Sequence, residues 1–243
     1  MEKKIVDLYS SIFTRKTCRD YSMAPLSVET IQEIEGFISS VPPLLSRAEF
    51  TYKILGAEEV KGFGIPNAPH YMLISGKSQP LCKTCAGFLF QHVNLYLYSI
   101  GLAACWLAGI KSKQNDPNHI IGFAFGKPAE KGNRKPACFV RKSPAEIAKG
   151  TDSRLQAVRL APSGLNKQPW YFIIEGNAVH VYYEESLVGI FGMCYHHTAL
   201  DIGIALCHMK IASEHEGKPF RFNIDRKNQP TAQKYLTYIG TVE

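Results

Sequence analysis

RLAPSGLNKQPW, residues Arg159–Trp170, is the stretch on which the fold turns. It joins an expected short helix to an expected strand. Pro162, Ser163 and Gly164 stop the helix, Asn166, Lys167 and Gln168 supply donors, and Pro169 and Trp170 open the apolar run Tyr171 to Ile174. So many polar donors on one tight turn suit an anion, or a heterocycle with polar edges. Spacing alone is equally met by an ordinary helix-to-strand connection.

Around that turn, the 243-residue chain is 45% hydrophobic, enough for one substantial core or two small ones built together. A formal charge of +7 raises nucleic acid as a partner, but Lys and Arg are scattered and no basic run has interleaved aromatics. A phosphorylated small molecule accounts for the excess as well. The start MEKKIVDLY turns amphipathic at once, without an apolar secretory region, and the seven cysteines are an odd number. These features lead to the expectation of a reducing cytoplasm with free thiols. Between Lys83 and Lys111 no residue is charged, and about 27 such positions are long enough for a bilayer. Gln91, His92, Asn94 and Ser99 interrupt the run, and Gly87, Gly101 and Gly109 divide it. A long helix buried on all sides by protein is the preferred reading over a membrane anchor.

Taken in order, Ile5, Leu8, Ile12 and Phe13 predict a helix over residues 3–13. It ends at TRKTCRDY, where Arg15, Lys16 and Arg19 stand beside Thr17. Three cations at a helix end complement its dipole, and arginine also grips phosphate through two parallel hydrogen bonds. Ser27 is a natural N-cap for a second helix, which Pro42 and Pro43 end. Residues 50–55, 70–75 and 120–125 read as strands, and Gly126 to Pro136 as a Lys- and Gly-rich loop. Ser143, Pro144 and Glu146 form a capping box closed by Gly150, with Arg141 and Lys142 just before it. FIIE and AVHVYY around Gly176 and Asn177 predict a hairpin.

The turn resembles the APSxxNxQPW segment of the nitroreductases, FMN-dependent enzymes of α+β fold: Ala161, Pro162, Ser163, Asn166, Gln168, Pro169 and Trp170 fall in register. RKTCRDY is similar to the RRSxRxF segment that opens those enzymes, with Lys16 and Thr17 as departures of retained chemistry. The resemblance implies that Arg15 and Thr17 meet the FMN phosphate, with Lys16 beside them, and that Arg19 stabilises charge on reduced flavin. It also implies that Arg141 and Lys142 reach the phosphate, and that backbone donors near Pro162, Ser163 and Gly164 hold the ring with Asn166 and Gln168. Trp106, in a segment similar to the family's GLGxxW, would wall the substrate pocket, a buried tryptophan at a helix end being the alternative.

Element order repeats after Gly150. Gly56 and Gly176, Gly101 and Gly217, and Phe125 and Ile239 match at separations of about 114 to 120 residues. Nitroreductases are homodimers whose FMN lies between subunits, held by the basic arm of one and the APSxxN turn of the other. Here residues 1–150 carry the arm and residues 151–243 the turn. The expectation is therefore an α+β, nitroreductase-like fold of two pseudo-repeated halves, an intrachain pseudo-dimer around long central helices with one complete FMN site. This resembles the branch labelled "putative TM nitroreductase". The implied activity passes hydride from NADH or NADPH through FMN to a small acceptor such as a nitroaromatic or quinone, with no obligatory acid or base residue. A flavin-binding protein without turnover and a membrane-anchored protein are the alternatives. Partners reduce to a small-molecule substrate, without nucleic acid or membrane, and further homo-oligomerisation stays open.

Other chemistry has weaker anchors. Cys82 and Cys85 make a lone CxxC, short of a zinc set and read as two ordinary thiols ahead of a redox pair. His196 and His197 are adjacent and cannot share one metal, and His208, Met193 and Cys194 read as packing. Walker A, GxGxxG and GxSxG elements are missing, which leaves kinase, dinucleotide-fold and serine-hydrolase readings without support.

Overall fold

The computed structural model describes residues 7–46, 49–77, 81–129, 138–184, 197–224, 230 and 235–243. Helix α1 (Leu8–Thr14) begins where the Asp7 carboxylate accepts the Ser10 N–H at 2.9 Å; the expected turns from Lys3 lie outside the described residues. Ser27 caps α2 (Val28–Ser40) by accepting the Thr30 N–H, and Val41, ahead of Pro42, leaves the helix in an extended conformation. Next come β1 (Phe50–Leu55), β2 (Val60–Lys61), β3 (His70–Gly76), α3 (Cys82–Ser99), β4 (Ala103–Leu107), β5 (Lys111–Ser112) and β6 (His119–Gly126). The second half holds α4 (Pro144–Ile147), β7 (Ala148–Lys149), α5 (Leu155–Val158), β8 (Trp170–Glu175), β9 (Ala178–Glu184), α6 (Thr198–His215), β10 (Phe222–Asn223) and β11 (Leu236–Val242).

Two sheets carry the architecture. The first has the order β1-β3-β6-β4 and is antiparallel throughout. The second has the order β10-β11-β9-β8-β7, antiparallel except for the parallel pair β7 and β8. Strands β8, β9, β11 and β10 thus succeed one another as β1, β3, β6 and β4 do. The β8–β9 hairpin turns through Gly176 at φ 60° and Asn177, as its sequence predicts.

Helix α3 packs against the first sheet, α6 against the second, and the two helices pack against each other. One apolar cluster consequently runs from sheet to sheet, through Met72, Phe90 and Phe123 to Phe172, Val181 and Leu206. From Thr84 to Leu97 α3 is buried on every face, which is why the sequence carries no charge there. The uncharged run is nevertheless not one helix. Gly101, at φ 87°, ends α3, and the run continues as β4, so Trp106 stands on a strand rather than at a helix end. Among the described residues no helix is long and apolar enough to cross a membrane.

The crossing of α3 and α6 depends on two glycines. A Cβ on Gly87 would overlap the Leu200 carbonyl, and one on Gly203 would overlap the Thr84 carbonyl. The contacts are reciprocal: each glycine stands sixth in its helix and meets the third residue of the other. Helix α1 lies over this pair, with Tyr9 stacked on His215 at 3.7 Å and the Tyr98 hydroxyl donating to the Thr14 carbonyl at 2.9 Å.

Candidate functional site

The basic arm leaves α1 at Arg15, whose N–H closes the helix on the Ser11 carbonyl before its backbone turns extended. From there it runs along the first sheet. Cys18 N–H donates to the Ala104 carbonyl of β4 at 3.4 Å, and Ser22 and Ala129 exchange backbone bonds with Lys127 and Asp20 beyond β6. Tyr21 anchors the arm: its hydroxyl donates to the Cys18 and Ala124 carbonyls at 2.7 and 3.3 Å. This docking leaves Arg15 buried at 4% exposure and Lys16 half-buried, while Thr17 and Arg19 face outward. Burial pushes the Cys105 thiol up, and the nearby charges of Arg19 and Arg15 oppose that, so the cations stand close to β4.

The turn is built with unusual backbone. Leu165, Asn166 and Gln168 have φ of 52°, 56° and 49°, the left-handed region that costs a residue with a Cβ about 1–2 kcal/mol. Its own polar groups hold it there. Ser163 Oγ accepts the Gln168 N–H at 2.9 Å, Asn166 and Lys167 N–H donate to the Ser163 and Gly164 carbonyls, and Gln168 Nε2 donates to the Asn166 carbonyl at 3.1 Å. Further partners come from the segment Val140–Lys142. Arg141 donates to Asn166 Oδ1 at 2.7 Å, Lys142 N–H donates to Gln168 Oε1 at 2.8 Å, and Asn166 Nδ2 donates to the Val140 carbonyl at 3.0 Å. Pro162 is half-buried beside them. The capping box appears as predicted, with Glu146 Oε2 accepting from both the N–H and the hydroxyl of Ser143 at 2.8 Å.

Arm and turn both act on the helix pair through their charges. His208 of α6, fully buried, feels the charges of both Arg15 and Arg141, which stand 126 positions apart in the chain. The structure therefore joins Arg141, Lys142, Asn166 and Gln168 by hydrogen bonds, puts Arg15 within electrostatic reach of the same buried histidine as Arg141, and leaves Thr17 and Arg19 exposed on the arm. It also commits a donor the sequence left open: the Gly164 N–H points between both oxygens of Asp201, at 3.2 and 3.3 Å. Asp201 is only 1% exposed, and sequence reasoning passed over it. The signal was a lone carboxylate in the first turn, followed by the uncharged run Ile202–Cys207. Gln91, read as a polar interruption of the uncharged run, and His208, read as packing, are both fully buried, and their bonding to each other was not foreseen. Gln91 bonds both Trp106 and His208.

Elsewhere, Cys82 and Cys85 are buried free thiols at the start of α3; burial raises both, Cys85 to about 11. Such thiols are poor nucleophiles, in line with the ordinary reading of the CxxC. No described cluster of His, Cys, Asp and Glu could hold a metal ion. His197 precedes α6, whereas Met193, Cys194 and His196 lie outside the described residues. Two clefts, of about 520 and 450 Å³, are lined by residues around β1, Lys77, Asn118 and Tyr183, none of them in the arm or the turn. The arm and the turn therefore lie outside both clefts.

The site is thus a cationic junction between two sheet-and-helix units of a mixed helix and strand protein. The family model described as "Putative TM nitroreductase" matches residues 7–213, and the chain belongs to that nitroreductase family, a family of oxidoreductases. Among solved structures, a Thermotoga maritima protein described as a "putative nitroreductase" shares 19% identity over 100% of this chain and 97% of its own, with a TM-score of 0.66, so the two have one fold. A nitroreductase family protein of Clostridium difficile 630 is 17% identical over 58% of this chain and 94% of its own, TM-score 0.47. An FMN-dependent nitroreductase of Clostridium difficile R20291 is 14% identical over 56% of this chain and 94% of its own, TM-score 0.42. No curated protein matches the chain.

Proposed function

We propose that this chain is an FMN-dependent NAD(P)H oxidoreductase that reduces a small electrophile such as a nitroaromatic or quinone. The observation that carries the reading is that Arg15 of the arm and Arg141, which braces the turn, both act electrostatically on the one buried histidine, His208. The donor set fits a flavin mononucleotide. Arg15, Arg141 and Lys142 are the cations for a phosphate, with Lys16 and Thr17 at its outer side, and Arg19 would balance charge on the reduced ring. Pro162, Ser163, Gly164, Asn166 and Gln168 shape the wall for the ring. When bound, FMN supplies hydride acceptance and release; the protein binds, orients and excludes water. Trp106, half-buried on β4 beside the docked arm, offers an aromatic wall for the acceptor.

The same proposal reads residues 1–150 and 151–243 as two halves of an intrachain pseudo-dimer with one flavin site. The equivalent strand successions and the reciprocal Gly87 and Gly203 contacts support it. The six described cysteines are all free, which supports a reducing, cytoplasmic setting. The test is the visible absorption spectrum of the purified protein, with identification of flavin released on denaturation. FMN near one per chain, with NADH or NADPH oxidation stimulated by a quinone or nitroaromatic, is the expected result. Bound FMN without turnover would make this a flavin carrier instead, and no uptake of added FMN would end the flavin reading.

A further inference from the structure

Four groups from four elements form an unbroken buried chain. Trp106 Nε1 of β4 lies 3.1 Å from Gln91 Oε1 of α3, Gln91 Nε2 lies 3.1 Å from His208 Nε2 of α6, and His208 Nδ1 lies 2.9 Å from the Ala157 carbonyl of α5. Both ends fix its direction. An indole N–H can only donate and a carbonyl can only accept. Gln91 therefore accepts from Trp106 through Oε1 and donates through Nε2. That makes His208 Nε2 an acceptor and puts the ring proton on Nδ1, where it donates to Ala157. No amide flip or second tautomer satisfies all three bonds.

Gln91 and His208 are each at 0% exposure, so water cannot replace a lost partner. Burial pushes His208 down to about 3; the Ala157 bond raises it, and the charges of Arg15 and Arg141 lower it further. A proton on Nε2 would also face the Gln91 amide donors. The ring accordingly stays neutral beside two arginines. The ends of the chain lie at the two halves of the site: Trp106 is two residues from the Ala104 carbonyl that docks the arm, and Ala157 lies in the helix that feeds the turn.

We propose that Gln91 and His208 are positioning residues, a neutral relay that holds the Trp106 ring against the substrate site and couples its orientation to the turn carried by α5. The relay itself stands on geometry, while its effect on substrate rests on the oxidoreductase reading. Its consequence is that a change at His208, which has no bond to Trp106, moves the indole through Gln91.

The chain has two tryptophans, so protein labelled with 15N at the indole nitrogens gives two N–H resonances, and loss of one in Trp106→Phe assigns the other. We expect His208→Asn and Gln91→Leu each to shift the Trp106 resonance and speed its exchange with solvent, while His92→Asn, which removes a buried histidine whose Nδ1 bonds the Phe88 carbonyl, leaves it in place. In holoenzyme, His208→Asn should raise acceptor KM about tenfold while FMN affinity changes less than about twofold. An unmoved Trp106 resonance in folded His208→Asn or folded Gln91→Leu protein overturns the relay. If the indole moves but no flavin binds to the wild type, the relay stands and the oxidoreductase reading falls.

Discussion

At the scale of single residues, the proposed site is a small set of cations whose value depends on burial. Arg15 is held inside the molecule by the docked arm, so a phosphate meeting it is little screened by solvent. Arg15→Ala should weaken FMN binding by about 10- to 100-fold, the range for one charge-assisted hydrogen bond, and Thr17→Ala, on the exposed part of the arm, by only a few-fold. Fluorescence titration of the apoprotein with FMN checks both, and equal losses would show that burial does not rank them. Buried histidines set the response to acid. Burial lowers His92 to about 4 and His208 to about 3, whereas an unfolded histidine titrates near pH 6.5. Below that pH the unfolded chain binds protons that the folded chain refuses, so stability falls as pH drops from about 6.5 to 4, by up to about 1.4 kcal/mol per pH unit for each ring. Asp152 acts lower down. Burial alone would raise it, but the hydrogen bonds and charge of Arg154 lower it overall, so its contribution, present above about pH 4, is lost as pH falls further. Urea midpoints at pH 7, 5.5 and 4.5 should decline in that order, and a flat profile would mean the histidines open to solvent.

At the scale of elements, the decisive contact is the crossing of α3 and α6. With no side chain at Gly87 or Gly203, backbone meets backbone, and the polar residues within the helices reach across to partners. Gly203→Ala should destabilise the fold by about 1–3 kcal/mol or more, because its Cβ overlaps the backbone of Thr84 and Phe88 rather than a yielding side chain. Gly36→Ala is the control, since nothing lies near its would-be Cβ and an alanine there favours α2. Thermal unfolding of the pair tests the point, and equal melting temperatures would show that the helices can separate at little cost. The turn shows the reverse case, an element shaped by its neighbours. Left-handed backbone at Leu165 is kept because Ser163, Asn166, Gln168 and the Val140–Lys142 segment bond around it.

At the scale of the whole molecule, two sheets and two helices arranged in the same succession make one core, and the arm and turn of the proposed site lie more than 100 residues apart in the chain. If one chain does the work of a dimer, its flavin should stay bound under conditions where sedimentation finds only monomer, and flavin content should not fall on dilution. A dilution-dependent loss of flavin that tracks dissociation of a larger species would assign the site to an interface between chains instead.

The strands at Phe50–Leu55 and His70–Gly76, the caps at Ser27 and Ser143, the hairpin at Gly176 and the family motifs were all legible in the chain because each is a local pattern, set by periodicity, capping chemistry or the backbone freedom of a residue type. The burial of α3 was legible too, since a helix without charge has no face to turn to water. What the sequence left open was pairing at long range. The split of the uncharged run into helix and strand was settled by the β4–β6 ladder, and the Asp201 bond to Gly164 by how α6 packs under the turn. Only the crossing of α3 and α6 put Gln91 against His208, because a buried polar group announces that it needs a partner but not which one.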